Sequence, residues 1–568
     1  MPETRQDSFD RISADAAFDV AVIGGGINGI GVYRELALQG LRVLLVERND
    51  YSSGCSAAPS RMIHGGLRYL ENGEFSLVKE SLRERDALLV NAAHMVRPLP
   101  TTVPITSTFS GLLNGAASFL GLSTPPARRG ALALKAGLSM YDWITRKRRR
   151  LPPHQFRSAA ETLGLWPRLT PKLRGSATFF DAWISYPERL AIELLLDTGR
   201  EAPGSVALNY AELVRRDAGY AVRDHLTGRE FPIAAKALVN ATGAWLDESL
   251  ENLADRGSTG ERYVSGTKGS HIVLDHPELH AALNGHMIFF ENGDGRVCVV
   301  FPYLGKVLAG STDIRVEKAE RVYCTDEERD YILDALRAVF PAIPLGAEQI
   351  IYSYSGIRPL PRSDHAFTGR ISRGHMVRRI NGTVPQFCMI GGKWTTFRAF
   401  AEQTTDAVLD FLGKARVRDT YDLPIGGGAG FPEEPGALEQ ELVARHGISV
   451  ARAAWLAGLY GTQADAVLAF CGTREDNVPL DAGLEVTAAE IAYLAHHEHV
   501  VRLADLVLRR LPLAITGLIS AKRLEALAAV LAGELGWTVE ERQEQIADLV
   551  HQLHTYHGVS ADMLTQRN

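Results

Sequence analysis

Cysteine is scarce in this chain and never paired. The five cysteines (Cys55, Cys298, Cys324, Cys388, Cys471) are scattered, and no two form a C-x-x-C pair. That excludes a cysteine-held zinc or iron–sulfur site and a disulfide framework, and fits a reducing compartment. No metal is expected. An excess of one charge is also missing: 61 Lys and Arg against 67 Asp and Glu leave −6, so no nucleic-acid partner is expected. Residues 1–17 are polar, without the apolar run of a signal peptide, and read as a flexible leader. No internal repeat is visible, and the apolar middle of the longest uncharged stretch, residues 109–122, is too short to span a bilayer.

What is present begins at Val20. Val20-Ala21-Val22-Ile23 reads as a strand, followed by glycines at G-x-G-x-x-G spacing (Gly24, Gly26, Gly29) and a helix. A second strand, Val43-Leu44-Leu45-Val46, ends on Glu47, about 20 residues beyond the glycines. Gly24 permits a tight turn, Gly26 lets backbone approach a pyrophosphate, and Gly29 lets helix pack on strand. Glu47 can accept hydrogen bonds from a ribose. The helix N-terminus adds partial positive charge where phosphates would lie. Together these predict a dinucleotide site.

Further along, residues 76–91 carry apolar side chains at helical spacing. Residues 98–127 hold no charged side chain but are broken by Pro98, Pro100, Pro104, Pro125 and Pro126. A basic block follows, Arg146-Lys147-Arg148-Arg149-Arg150. An apolar wedge, Tyr141, Trp143 and clustered arginines predict a membrane-contact insertion at 98–150, the alternative being a domain-packing insertion with a solvated edge. Residues 170–290 read as short strands and turns, and 261–365 as an antiparallel sheet. Phe387–Ile390 reads as a strand entering another glycine turn, with a helix from Phe397 to Leu412. A glycine-rich linker at 426–430 precedes a helical unit over 431–568.

These motifs resemble the FAD-dependent, aerobic respiratory-type glycerol-3-phosphate dehydrogenase family. The matching strings are Gly24-Gly25-Gly26-Ile27-Asn28-Gly29, Ile63-His64-Gly65-Gly66-Leu67-Arg68-Tyr69-Leu70, Asn240-Ala241-Thr242-Gly243 and Lys268-Gly269-Ser270-His271-Ile272-Val273. Gly310-Ser311-Thr312-Asp313, Ser355-Gly356-Ile357-Arg358-Pro359-Leu360 and Gly391-Gly392-Lys393-Trp394-Thr395-Thr396-Phe397-Arg398 complete the set. They run in family order over residues 18–425. The chain departs from the family at Asp181 to Leu190, at Ser311, at Trp394 and in a longer insertion near 105–135.

The resemblance implies an α/β fold. A glutathione-reductase-type, Rossmann-like FAD domain is interleaved with an antiparallel-sheet substrate domain over 18–425, and an all-helical C-terminal domain follows. It implies FAD held by Gly24, Gly26, Asn28, Gly29, Glu47, Ser60, His64, Gly65, Gly66, Ala241, Thr242, Gly243, Gly392, Lys393 and Thr395; no His or Cys stands where it compels a covalent link, so noncovalent FAD is expected. It places Arg68, Tyr69, Arg373, Lys393 and Thr395 around a phosphorylated polyol, with Arg358 near the reacting carbon.

A phosphate dianion in a cleft needs such cations. An imidazole suits removal of a hydroxyl proton, and His271 and His64 are the candidates, with His271 favoured for the substrate. Oxidation of sn-glycerol 3-phosphate to dihydroxyacetone phosphate would move a hydride to flavin N5. Since no second nucleotide fingerprint or heme ligand is seen, electrons would pass to quinone. The enzyme would then sit peripherally on the inner face of the cytoplasmic membrane. The alternatives are another polyol phosphate such as erythritol phosphate, oxygen as acceptor, or a non-catalytic flavin redox sensor. The helical tail would either brace the substrate domain or form homodimer contacts.

Overall fold

Val20 to Ile23 are buried on both faces, which is why β1 (Ala17–Ile23) reads as an unbroken apolar run. A computed structural model describes residues 5–66, 74–106, 138, 151–217, 219–253, 262–292, 296–363 and 371–568. Strand β1 lies inside a largely parallel sheet. Its parallel neighbours are β2 (Val43–Val46) and the strand Glu230–Asn240, with Val22 opposite Leu45 and Val239. The sheet continues through Gln386–Gly391 on one side and Val206–Leu208 on the other. Helix α2 (Ile27–Ala37) packs against the helix Phe397–Leu412, and a Cβ on Gly31 would lie 2.9 Å from the Phe397 ring. The expected helices over 76–91 and 397–412 are present as Phe75–Asn91 and Phe397–Leu412.

The second sheet has ten strands among the described residues. It is antiparallel except where Met287–Glu291 pairs parallel to Val96–Ile105 at Met287–Thr101 and Ile288–Thr102. Val96–Ile105 pairs along its whole length with Gly175–Ile184. This corrects the expected start of the insertion at residue 98. Pro98, Pro100 and Pro104 share one parity, so their missing N–H groups fall on one side of the strand and the ladder survives. The basic block and the apolar wedge lie outside the described residues; Leu138 is buried with Val103, Ile105 and Phe179.

Three other expectations are overturned by long-range packing. Residues 5–14 are not a loose leader but form helix α1 (Arg5–Ala14), with Phe9 and Ile12 buried. Phe9 stacks on Phe231 with ring centroids 4.4 Å apart, and Arg5 bonds Asp224 at 2.7 Å. Within the stretch read as strands and turns lies the buried helix Pro187–Glu201. Its inward face carries Glu188, Arg189 and Glu193, charges a sequence reader assigns to solvent. Each is paired: Glu188 with Arg61 at 2.7 and 2.8 Å, Arg189 with Glu498, Glu193 with His94 at 2.9 Å. Gly426–Gly428 is a buried turn, not a linker, and the Gly426 N–H donates to Asp197 at 2.8 Å.

The helical C-terminal unit buries its apolar faces against Phe301, Tyr303, Tyr352 and Tyr354 of the second sheet. It is also clamped by charge. Asp50, three residues beyond Glu47, accepts two bonds from Arg510 (2.7 and 2.9 Å), one from Arg509 and one from Asn209 (3.0 Å). Buried as it is, Asp50 is held well below the usual carboxylate range by the two guanidinium groups. Removing one partner of such a group leaves an uncompensated charge. Asp50→Asn is therefore expected to lower unfolding free energy by about 3–5 kcal/mol in urea titration; a loss below about 1 kcal/mol would contradict this clamp.

Candidate functional site

The glycine turn is closed by two contacts only glycine permits. Gly24 has φ of +103°, and a Cβ on Gly29 would lie 1.8 Å from the Gly24 carbonyl oxygen. Gly26, in contrast, is open: its Cβ would meet only the Ser56 hydroxyl, at 3.2 Å. The turn therefore presents bare backbone, and the N-terminus of α2, to a cavity of about 1020 Å³. Ligand pockets run to roughly 300–1,000 Å³, so there is room for a dinucleotide and a small substrate. Gly26, the residue that starts α2, has no side chain to cap it; the Ile27 N–H donates instead to Ser56 Oγ at 2.9 Å.

At the far end of the turn the Glu47 carboxylate accepts from the Gly25 and Asn49 amides at 2.7 and 2.9 Å. Burial raises its pKa and these amides oppose the rise. The carboxylate is thus fixed in orientation with acceptor capacity to spare for hydroxyls. Ala241, Thr242 and Gly243 line the cavity beside the glycine turn, where a Cβ on Gly24 would lie 2.8 Å from the Ala241 carbonyl oxygen. Asn28 also lines the cavity, and its buried Oδ1 has no hydrogen-bond partner, as expected of a group awaiting a ligand donor. Open backbone, a braced carboxylate and an orphaned amide oxygen fit an adenine dinucleotide such as FAD.

Cations line the same cavity. Arg358 stands on the strand Ile350–Pro361, paired opposite Thr267, and lies across Gly269, where a Cβ would be 2.1 Å from its Nη2. It donates to Asp313 Oδ1 at 3.1 Å and Ser311 Oγ at 3.0 Å, while Arg373 donates to Asp313 Oδ2 at 3.4 Å. One carboxylate thereby orients two guanidinium groups. Lys393, from the second glycine turn, donates to Ser81 Oγ at 2.7 Å. Burial brings the Lys393 pKa down to about 7, against the pull of Glu80, Glu74 and Asp181. Glu80 is itself raised by burial to about 7.

The two histidines differ in place. His64 lines the cavity, and its backbone N–H donates to Thr395 Oγ1 at 3.3 Å. Burial and the Lys393 charge push its imidazole down to about 4. His271 does not reach the cavity wall. It lies behind Ser60, with Nε2 at 2.9 Å from Ser60 Oγ, and stacks on Tyr354 with centroids 5.0 Å apart. Burial and Arg358 push it down to about 3. His271 is thus set one residue behind the wall, and its buried Nδ1 has no hydrogen-bond partner among the described residues.

Of the other residues singled out, Gly66, Ser60, Gly392 and Thr395 line the cavity, as do Arg373 and Lys393. Gly65 is set back, its N–H donating to Asp181 Oδ1 at 3.0 Å, and Gly29 lies beneath the turn. Arg68 and Tyr69 lie outside the described residues. Several residues of the site escaped sequence reasoning. Asp313 stood inside a quoted motif but was not given a role. Asp181, seen as a departure, anchors Gly65 and accepts from Arg85 at 3.0 Å. Ser81 and Glu80 sit on an ordinary amphipathic helix and carry no local signal. No group of side chains able to hold a metal occurs among the described residues.

Comparison with known proteins agrees with this geometry. The family described as FAD dependent oxidoreductase matches residues 19–407, and the C-terminal domain of alpha-glycerophosphate oxidase matches 418–542. A glycerol-3-phosphate dehydrogenase from Synechocystis sp. is 34% identical, over 94% of this chain and 95% of its own. A D-erythritol 1-phosphate dehydrogenase from Brucella abortus is 33% identical, over 72% of this chain and 77% of its own. The crystal structure of a glycerol-3-phosphate dehydrogenase from Bacillus halodurans, complexed with FAD, superposes with a TM-score of 0.74 at 26% identity, covering 97% of each chain.

Proposed function

Because the chain belongs to the FAD-dependent glycerol-3-phosphate dehydrogenase family, we propose that it oxidises sn-glycerol 3-phosphate to dihydroxyacetone phosphate and passes the electrons to a quinone. The observation that carries this reading is the joint placement of Arg358, Arg373 and Lys393 on the wall of the cavity that the glycine turn opens. Bound FAD supplies the two-electron acceptor. Gly26, Asn28, Glu47 and the 241–243 turn hold it.

The protein's own residues do the rest. Arg373 and Lys393 bind the phosphate as charge-assisted donors, with Arg68 and Tyr69 as further substrate contacts. Arg358, oriented by Asp313 and Ser311, donates to the substrate oxygen that becomes the carbonyl. His64 accepts the hydroxyl proton at an imidazole nitrogen. Its pKa of about 4 keeps it neutral, and a phosphate dianion beside Lys393 cancels the charge that disfavours its protonation. His271 holds Ser60 on the cavity wall. Turnover of a dye acceptor with a panel of polyol phosphates tests the substrate: sn-glycerol 3-phosphate is expected to give the highest kcat/KM. The Brucella relative favours a four-carbon polyol phosphate as the second reading, but its match is shorter. The present chain also carries the C-terminal unit that matches the glycerophosphate oxidase domain.

Lys393 sets a pH dependence. Phosphate binding needs its ammonium form, which is present below about pH 7 and lost above it. A phosphate monoester becomes a dianion above about pH 6. kcat/KM is expected to peak between these values and fall above 7. Lys393→Arg, with its far higher pKa, should carry the falling limb up by two units or more. An unmoved limb in the variant would count against Lys393 as the phosphate ligand.

For the acceptor, no helix among the described residues is long and apolar enough to cross a membrane. The uncharged stretch and the Arg146–Arg150 block support peripheral contact with an anionic surface, where quinone dissolves. The protein is expected to sediment with anionic liposomes and be released by salt. Serine at all five positions 146–150 should weaken this severalfold, and unchanged sedimentation would sink the idea.

A further inference from the structure

The cavity is not closed by the nucleotide and substrate layers alone. Arg509 and Gln552 of the C-terminal unit stand on its wall, as does Arg321 from the loop before the helix Asp326–Val339. Arg321 also lines, with Ser53, Gly54 and Cys55, an adjoining cavity of about 90 Å³ beside the segment that meets the glycine turn. It is held by neutral groups of one helix, Val539–His557. Its Nη2 donates to Gln552 Oε1 at 3.0 Å, and its guanidinium lies 3.8 Å from the Tyr556 ring centroid. Gln552 is in turn fixed by its bond to Asp548 at 2.8 Å.

Arg358, Arg373 and Arg509 each sit on a carboxylate. Arg321 makes no ion pair among the described residues. It is solvent-exposed; partial desolvation and the nearby Arg509 disfavour its charge, while Tyr556, Tyr352 and Asp548 oppose them. A planar, positioned guanidinium on a cavity wall is the group that binds phosphate oxygens in a bidentate fashion.

We propose that Arg321 binds the pyrophosphate of the dinucleotide that the glycine turn receives, and that Gln552 and Tyr556 of the helical unit position it. Docking of the C-terminal unit and cofactor affinity are then coupled, each favouring the other by the same factor. The unit acts as a retaining wall for the cofactor. This rests on the assignment of the cavity to FAD.

The test is a fluorescence titration of FAD onto the deflavinated full-length protein. Arg321→Ala is expected to weaken FAD binding at least tenfold, and Arg321→Lys less. Gln552→Leu with Tyr556→Leu is expected to weaken it severalfold with Arg321 intact. FAD should also protect residues 413–436, which join the helix Phe397–Leu412 to the first helix of the C-terminal unit, Ala437–His446, from proteolysis in the parent protein and protect them less in Arg321→Ala. Parent-like affinity, within twofold, in Arg321→Ala would overturn the proposal. A parent protein that takes up no FAD would instead overturn the cavity assignment, so the two failures are distinguishable.

Discussion

Arg358→Leu is expected to lower kcat/KM for sn-glycerol 3-phosphate by about a thousandfold, a barrier increase of about 4 kcal/mol. The loss should fall mainly on kcat. Arg358 is the guanidinium fixed most firmly at the substrate end, by Asp313 Oδ1 at 3.1 Å and Ser311 Oγ at 3.0 Å. A donor held in place before the reaction stabilises charge developing on the substrate oxygen at no reorganisation cost. Flavin content should be unchanged, because the dinucleotide end of the cavity is built from other segments. Asp313→Asn should follow in the same direction with a smaller loss, since it releases two guanidinium groups without removing either. An Arg358→Leu enzyme that keeps kcat and only raises KM would show that Arg358 contributes ground-state binding alone.

Gly29→Val should yield a colourless protein, with FAD affinity reduced at least a hundredfold. The new Cβ would lie 1.8 Å from the Gly24 carbonyl oxygen and 3.3 Å from the Ala241 side chain. The turn would have to open, and with it the amide and helix N-terminus that form the phosphate end of the cavity. Absorbance near 450 nm relative to 280 nm after reconstitution is the readout. A yellow Gly29→Val protein with full flavin would mean that the turn does not form the cofactor floor.

The parts legible in the sequence are those whose constraints are local. The glycine turn, Glu47 and the helix Phe397–Leu412 each depend on residues within a few positions of one another. The cavity-wall cations Arg358, Arg373 and Lys393 were legible through their motif strings, although the carboxylate that orients two of them, Asp313, became visible only when the fold brought it to Arg358 and Arg373. The misreadings share a different cause. Pro98, Pro100 and Pro104 looked like breaks because a strand's tolerance of proline depends on which neighbour it faces. Glu188, Arg189 and Glu193 looked solvated because their partners, Arg61, Glu498 and His94, are distant in sequence. Gly426–Gly428 looked flexible because nothing nearby revealed that Asp197 and Glu193 would be its acceptors. The Nε2 partner of His271, Ser60, is 211 positions away in sequence and was equally hidden from a local reading.

The same reasoning explains the C-terminal unit. Its helices were evident from periodicity, but its attachment was not, since Asp50 and Arg510 are 460 positions apart. That clamp sits three residues from the Glu47 carboxylate and ties the helical unit to the strand end that the dinucleotide needs.

The central claim is that the cation cluster delivers a phosphorylated polyol to a flavin on the glycine turn. Anaerobic addition of sn-glycerol 3-phosphate to the purified yellow protein addresses it most directly. Rapid, stoichiometric bleaching of the flavin absorbance is expected, absent with unphosphorylated glycerol and strongly slowed in Arg358→Leu. A flavin that stays oxidised in the presence of saturating sn-glycerol 3-phosphate would contradict the account.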